Sequence, residues 1–289
     1  MKNLLTDIAI DKNKTRVGLI GSGILESRSP SMHMSEAQAQ GMYLDYHLFD
    51  LEEMGLSVDD LPQLLDEIEN AGYVGLNITH PCKQRVIEHL DNNSKEVNDL
   101  GAVNTIIFGE NGRTGHNTDW MGFYNNFIQE FSDVAINRVI QLGAGGAGSA
   151  VAYALARIGI KELNIFDIDA TKSEQLARRL SRIFENTNII ILDQIDDITN
   201  IDGIINTTPV GMKSYPGVPL PDSLLVPSLW IAEVIYFPLE TELLRKSRTL
   251  GCKTLDGSGM AIYQAAEAFR LFTGKLADTN RMRRIFLST

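Results

Sequence analysis

The sequence of 289 residues holds only two cysteines, Cys82 and Cys252. Two such residues far apart form neither a disulfide framework nor a metal-ligand spacing. No metal is expected, and a reducing cytoplasm suits the chain best. Basic residues are also in short supply. Lys plus Arg number 26 against 37 Asp plus Glu, a formal net charge of −11. Such a chain lacks the basic surface that nucleic acid demands, although a local Lys or Arg can still hold a small anion. No apolar run is long enough to cross a bilayer. Met1 to Thr15 is polar and charged, without the apolar core of a signal peptide. Neither a nucleic-acid nor a membrane partner is therefore expected. The 44% hydrophobic and 22% charged content is ordinary for a globular protein, and the length suits one large or two medium domains.

What is present is a repeated alternation of β-prone and helix-prone pieces. In the first part, strands are expected at Val17 to Ile20, Tyr46 to Leu51, Val74 to Ile78 and Val103 to Phe108. Helices are expected at Ser31 to Gln40, at Asp60 to Ala71 (Leu61, Leu64, Leu65 and Ile68 at helical spacing), near Cys82, and at Asp119 to Phe131. Gly109 to Gly112 reads as a hairpin turn. Beyond it, strands at Arg138 to Leu142, Glu162 to Phe166, Asn188 to Leu192, Gly203 to Ile205 and Trp230 to Tyr236 alternate with helices at Ser149 to Ile158, Thr171 to Phe184 and Thr241 to Leu250. A last helix is expected at Gly259 to Thr273. Alternation of this kind predicts an α/β fold, a parallel sheet with helices on both faces.

The strongest local signal is Gly143-Ala144-Gly145-Gly146-Ala147-Gly148, a G-x-G-x-x-G between a strand and a helix, with Asp167 standing 19 positions after Gly148 at the end of the next strand. In a dinucleotide-binding unit each part has a task. Gly143 permits the tight turn, Gly145 lets the backbone approach a pyrophosphate, and Gly148 lets the helix pack on the strand. The helix N-terminus offers unpaired N–H groups and a positive dipole end to phosphate. The bland alternative is a glycine-rich turn in another α/β protein.

Three earlier loops carry polar residues where strands end, the usual ligand edge of a parallel sheet. In Ser27-Arg28-Ser29-Pro30, two hydroxyls one residue apart can face one ligand, or simply form a Ser/Pro turn. In Asn77-Ile78-Thr79-His80-Pro81-Cys82-Lys83, Pro81 opens a helix and Lys83 falls in its first turn, where a cation is disfavoured by about 0.3–1 kcal/mol. That placement hints at a use and favours the neutral amine that a general base requires. The third set is Gly101-Ala102-Val103-Asn104-Thr105 with Gly115-His116-Asn117-Thr118-Asp119. Asp119 is either a helix cap or a carboxylate that pairs with Lys83 and binds a ligand hydroxyl. His80 and His116 lie beside these motifs, but nothing in their spacing favours a proton-transfer role over a structural one.

Together these segments resemble the shikimate dehydrogenase family from about Val17 to the C-terminus. The family pattern has a Ser-x-Ser-Pro loop, an Asn-(Val/Ile)-Thr-x-Pro-x-Lys segment, Gly-Ala-Val-Asn-Thr, Asn-Thr-Asp and Gly-Ala-Gly-Gly-Ala, and all five occur here in order. Asn206-Thr207-Thr208-Pro209-Val210-Gly211-Met212, Tyr236-x-Pro238 with Thr241, and Gly257 followed by Gln264 extend the match. The resemblance implies two domains. A substrate domain spans residues 1–120, joined by C-terminal helices within 256–289, and a Rossmann-type doubly wound domain spans 121–255. It implies hydride exchange between a nicotinamide and a hydroxyl/ketone pair on a cyclohexene or cyclohexane carboxylate. Lys83 is the implied catalytic lysine and Asp119 its partner. Ser27 and Ser29, with Tyr236, would hold the carboxylate. Thr79, Asn104, Asp119 and Gln264 would bind ring hydroxyls. Gly143, Ala144, Gly145, Gly146, Ala147, Gly148, Asp167, Thr207, Pro209, Met212, Val234 and Gly257 would line the cofactor site.

NADP-using members usually show Asn-Arg-Thr where this chain has Asp167-Ile168-Asp169. A carboxylate there can accept from ribose hydroxyls but repels a 2′-phosphate. NAD is therefore the expected cofactor and NADP is disfavoured, with Lys172 the residue that could still reach a phosphate. The same segment, with Glu26-Ser27-Arg28-Ser29, Gly115-His116-Asn117-Thr118-Asp119 and Leu255-Asp256-Gly257-Ser258-Gly259-Met260-Ala261-Ile262, resembles the quinate/shikimate dehydrogenase branch. Shikimate is the expected substrate, with quinate weaker or equal, in a cytoplasmic monomer or homodimer of the shikimate pathway or of quinate metabolism. Ser29 is the first position to test for that choice. Two other readings stay open. One is a different two-domain dehydrogenase, such as a methylene-tetrahydrofolate dehydrogenase, on another cyclic substrate. The other is a non-catalytic metabolite sensor that keeps the fold.

Overall fold

A computed structural model describes residues 14–288. Most of the segment Met1 to Thr15, read above as polar and charged, lies outside the described residues. In chain order the first elements are β1 (Thr15–Gly21), α1 (Ser29–Ala39), β2 (Leu44–Asp50), α2 (Leu51–Met54), α3 (Leu61–Asn70), β3 (Gly75–Ile78), α4 (Cys82–Arg85), β4 (Asn92–Asn93), α5 (Lys95–Leu100), β5 (Thr105–Gly109) and β6 (Gly112–His116). Then follow α6 (Asp119–Glu130), β7 (Arg138–Leu142), α7 (Gly146–Ile158), β8 (Glu162–Phe166), α8 (Ala170–Ser181), β9 (Asn188–Ile191), β10 (Gly203–Asn206), β11 (Trp230–Glu233), α9 (Glu242–Leu250), β12 (Lys253–Leu255), α10 (Ser258–Thr273) and α11 (Thr279–Ser288). The chain forms two compact units. One comprises the described residues up to Thr118 with those from Ala265 onward, the other Asp119–Gln264. The return to the first unit thus falls inside the unbroken helix α10, whereas the sequence reading put it at residue 256.

The first unit carries a six-stranded sheet of order β2-β1-β3-β5-β6-β4. β1 is parallel to β2 and β3, but β5 runs antiparallel to β3 and to β6. The sheet of this unit is therefore mixed, and the hairpin expected at Gly109 to Gly112 is the tight β5–β6 connection, too short for a crossover. The apolar stripe of α3 (Leu61, Leu64, Leu65, Ile68) packs on Ile20, Phe49, Leu76, Ile78 and Ile106. Burial of each such side chain contributes about 1.5–3 kcal/mol.

α1 buries His33 completely, in an aromatic cage formed by Tyr46, Phe269 and Phe272 at centroid distances of 5.0, 6.0 and 5.8 Å. Neither ring nitrogen has a hydrogen-bond partner, and burial lowers its pKa from the ordinary 6.5 to about 3. The folded state thus holds the neutral ring, and its contribution is complete above the unfolded pKa. It is lost as pH falls from 6.5 toward 3, because only the unfolded chain takes up the proton. At about 1.36 kcal/mol per pH unit, this term removes roughly 2 kcal/mol between pH 6.5 and 5. Urea unfolding of His33→Phe should lose much less stability over that interval; a pH dependence equal to the parent's would contradict the assignment.

The second unit carries a six-stranded, all-parallel sheet of order β12-β11-β10-β7-β8-β9, a doubly wound arrangement whose order reverses between β7 and β10. Its core includes Ile140, Leu142, Ile204, Ile231, Leu243 and Leu244. Trp230 packs edge-on to Phe127 and Phe131 and donates from Nε1 to the Ala135 carbonyl at 2.8 Å. Among the described residues no helix is long and apolar enough to cross a membrane, and no group of His, Cys, Asp or Glu could hold a metal ion.

Candidate functional site

In the first unit the strand register collects polar residues at one sheet edge. The carboxyl ends of β1 and β3 lie side by side, with Ile20 opposite Ile78. β5 is antiparallel to β3, so its amino end falls at that same edge, with Thr105 opposite Asn77. β6 is antiparallel again, so its carboxyl end returns there, with His116 opposite Thr105. Backbone hydrogen bonds continue the ladder past the strands. Thr79 N donates to Ile20 O (2.9 Å), Ile78 N to Asn104 O (2.8 Å), Asn104 N to His116 O (3.0 Å) and Val103 N to Lys83 O (2.8 Å). The register thus brings Thr79, Lys83, Asn104 and the Asn117-Thr118 pair to one edge.

Side chains tie this edge together. Asn104 is buried, and its Oδ1 accepts from Thr118 N at 2.7 Å while its Nδ2 donates to Thr118 Oγ1 at 2.9 Å. Much of its capacity is spent on fixing the residue that precedes Asp119. Asn77 donates to Asn104 O (3.3 Å) and Thr105 Oγ1 (3.1 Å) and accepts from the Tyr46 hydroxyl at 2.8 Å. Tyr46 also shares a side-chain hydrogen bond with Ser29, although burial outweighs it and raises the phenol's pKa. Lys83 and Thr79 are half-buried. α4 has only four residues, and a single turn aligns few peptide dipoles behind Lys83.

Ser29 opens the 11-residue helix α1, with Pro30 in its first turn, and Ser27 Oγ accepts from Ser29 N at 3.3 Å. The two hydroxyls therefore stand at a helix N-terminus, which favours an anion. The preceding loop is pinned by Asp50, which accepts from Gly23 N (3.2 Å) and Ile24 N (2.7 Å). Burial pushes the Asp50 carboxyl up, but these N–H donors and those of Glu52 and Glu53 win and hold it below the usual range. Sequence reading missed Asp50; its only mark was its place at a strand end.

In the second unit the glycine loop has the shape a dinucleotide needs. Gly143 sits at φ +96°, and a Cβ on Gly148 would come within 2.4 Å of Gly143 O and 2.8 Å of Thr207 Oγ1. Gly145 and Gly146 are exposed, and a Cβ on either would meet nothing within 4 Å. Internal packing thus explains Gly143 and Gly148 but not Gly145 and Gly146. Their bare backbone fits an approaching pyrophosphate. The 13-residue helix α7 starts here, with Gly145 as its N-cap and no capping side chain, leaving its first N–H groups to a ligand.

The neighbouring residues support this loop. Thr207 Oγ1 bonds Leu142 O (2.7 Å) and Gly143 O (2.9 Å), and Gln141 Nε2 bonds Gly143 O and Gly148 O, both at 2.9 Å. The Thr207 hydroxyl therefore braces the loop. Asp167 Oδ2 accepts from Ala144 N at 2.7 Å, and the adjoining Ile168 is 97% exposed. Thr207, Pro209, Met212, Val234 and Gly257 all follow the carboxyl ends of β10, β11 or β12, and Tyr236 is exposed beyond β11.

Glu233, which sequence reading also missed, ends β11 and is buried. It accepts from Asn206 Nδ2 (3.1 Å to each oxygen), Ile235 N (3.2 Å) and Thr241 Oγ1 (3.3 Å). Burial pushes its carboxyl up to about 7 despite those donors. It ties the Asn206–Met212 loop to the start of α9. Gln264 lies in α10 and Asp119 begins α6.

The chain is similar to known proteins along most of its length. The shikimate dehydrogenase substrate-binding domain matches residues 19–106, and the shikimate 5′-dehydrogenase C-terminal domain matches residues 257–285. A shikimate dehydrogenase (NADP(+)) from Streptomyces avermitilis is 48% identical over 92% of this chain and 92% of its own length. The chain belongs to the shikimate dehydrogenase family. Within that family, a quinate/shikimate dehydrogenase (NAD(+)) from Corynebacterium efficiens is 44% identical, covering 94% of this chain and 97% of its own. The solved structure of quinate dehydrogenase from Corynebacterium glutamicum in complex with NAD superposes with a TM-score of 0.91 at 42% identity, over 96% of this chain and all of that one. Shikimate dehydrogenases similar to this chain thus include both NADP- and NAD-named enzymes, and overall identity does not choose between them.

Proposed function

We propose that this chain is an NAD-preferring dehydrogenase that interconverts shikimate and 3-dehydroshikimate and also accepts quinate. The observation that carries the reading is the strand register that gathers Thr79, Lys83, Asn104 and Asn117-Thr118 at one edge of the first sheet. Residues 1–120 with the C-terminal helices hold the ring acid, and residues 121–255 hold the dinucleotide. Ser27 and Ser29 bind the carboxylate at the start of α1, assisted by Tyr236. Thr79, Asn104, Asp119 and Gln264 accept from or donate to the ring hydroxyls. Lys83 takes the hydroxyl proton in oxidation and returns it in reduction, and Asp119 orients the lysine.

Gly143 to Gly148 and the N-terminus of α7 would cradle the pyrophosphate, with Asp167 on the adenine ribose and Pro209, Met212, Val234 and Gly257 lining the remainder. A nicotinamide held there would supply the hydride acceptor for the carbinol carbon. The Asp167-Ile168-Asp169 segment supports NAD, as do the NAD-named relatives. The polar Ser-x-Ser and Asn-Thr-Asp loops weigh against a folate substrate, and retention of Lys83, Asp119 and the loop glycines weighs against a sensor.

A steady-state comparison of shikimate and quinate with NAD and NADP tests the reading. We expect the highest kcat/KM for shikimate with NAD and measurable turnover of quinate. An absence of turnover with all four pairs would overturn it.

A further inference from the structure

Between the two serines assigned to the carboxylate lies an arginine that reaches away from both, to the C-terminal helix. Arg28 donates from one terminal nitrogen to the carbonyl of Phe286 at 2.6 Å, and its guanidinium carbon sits 4.9 Å from the centre of the Phe286 ring. Phe286 is in the last turn of α11, where carbonyls lack helical partners and the dipole is negative. A cation is well placed there, and the aromatic face adds a second attraction. The other end of α11 is tied just as firmly. Arg281 pairs with Glu36 at 2.7 Å, and Glu36, fully buried, also accepts from Asp278 N (3.0 Å) and Gln40 Nε2 (2.6 Å). α11 therefore runs antiparallel to α1, bonded near both of its ends.

We propose that Arg28 and Phe286 are positioning residues for substrate. Their contact locks the Ser27–Ser29 loop onto α11, so that both hydroxyls are set for a carboxylate before it arrives. The loop is pinned by Asp50 at Gly23 and Ile24 and by Arg28 at its far end, beside the Tyr46–Ser29 and Ser29 N–Ser27 Oγ hydrogen bonds. Without Arg28, the ligand must supply more of the ordering of Ser27 and Ser29, at a cost in affinity. This inference rests on the reading of Ser27 and Ser29 as carboxylate ligands.

The test is steady-state kinetics of the full chain with shikimate and with shikimate amide, which lacks the negative carboxylate, at saturating NAD. Ser29→Ala serves as the control for the underlying reading. Arg28→Ala should raise KM for shikimate about tenfold, the size of one lost hydrogen bond to a charged group. It should leave kcat, KM for NAD and turnover of the amide within about twofold of the parent. Phe286→Leu keeps most of the apolar volume and should move KM for shikimate in the same direction, and the double variant should add little beyond Arg28→Ala. If Arg28→Ala does not fold, Arg28→Lys, which keeps the charge without the planar fork, should show a smaller rise with the same selectivity. An unchanged KM in Ser29→Ala would overturn the carboxylate assignment itself. A raised KM in Ser29→Ala with none in the arginine variants would overturn the positioning role. A raised KM in Arg28→Ala, with Phe286→Leu silent or fully additive, would mean that Arg28 touches the ligand directly, and would equally overturn it.

Discussion

Lys83→Ala is expected to lower kcat for shikimate oxidation by about 10²–10⁴-fold, the usual worth of a positioned general acid/base, while the dissociation constant of NAD changes little. Lys83 is half-buried, and its carbonyl is held at 2.8 Å by Val103 N, which anchors it beside the strand ends. Asp119 follows Thr118, whose backbone N–H and hydroxyl are held by Asn104. The backbone around both residues is thus set by hydrogen bonds that need no ligand. Asp119→Asn should lower kcat and raise KM together, because a lost charge partner and a lost substrate contact act at once. The double variant should be far from additive if the two work as one unit. Near-normal turnover in Lys83→Ala, with NAD binding intact by fluorescence titration, would falsify the proton-transfer role.

The second large effect concerns the cofactor. Asp167→Asn combined with Ile168→Arg is expected to shift the ratio of kcat/KM for NADP over NAD by about 10²-fold or more. In the parent chain the Asp167 carboxylate is fixed against the glycine loop through Ala144 N at 2.7 Å. A 2′-phosphate brought near it meets a like charge, worth several kcal/mol at the effective dielectric of a protein surface. Ile168 is almost fully exposed, so an arginine there displaces no packing and offers a planar fork to phosphate. Lys172 is a weak substitute, lying 4.0 Å from Asp169, which caps α8 through Thr171 N. A parent that uses NADP as well as NAD, or a double variant with an unchanged ratio, would contradict the account.

The parts legible in the sequence were those encoded locally. The strand, glycine loop and helix of residues 138–158, the acid at 167 and the amphipathic stripe of α3 all depend on neighbours within a few turns, and all stand near their expected places. What escaped depends on partners far along the chain. The hairpin at 109–112 was legible, but the antiparallel pairing of β5 with β3 was not, and that pairing is what delivers Asn104 to the same edge as Thr79 and, through the hairpin, Thr118 as well. Asp50 and Glu233 carry no motif, and their importance arises only when loop amides and an asparagine from other strands converge on them. The inward-turned Thr207 hydroxyl and the Arg28–Phe286 contact are of the same kind, joining residues 64 and 258 positions apart. Lys83 does fall in the first turn of a helix that follows Pro81, but that α-helix has only four residues before a 3-10 turn takes over at Val86–His89.

The central claim is that Lys83 and its neighbours hold a ring alcohol for direct transfer of the carbinol hydrogen to a nicotinamide. The most direct measurement uses shikimate deuterated at the carbinol carbon, incubated with the enzyme and NAD, with the reduced cofactor recovered for mass spectrometry. The account predicts one deuterium per reduced nicotinamide and none released to water. Reduced cofactor without deuterium, or no reduced cofactor at all, would contradict it.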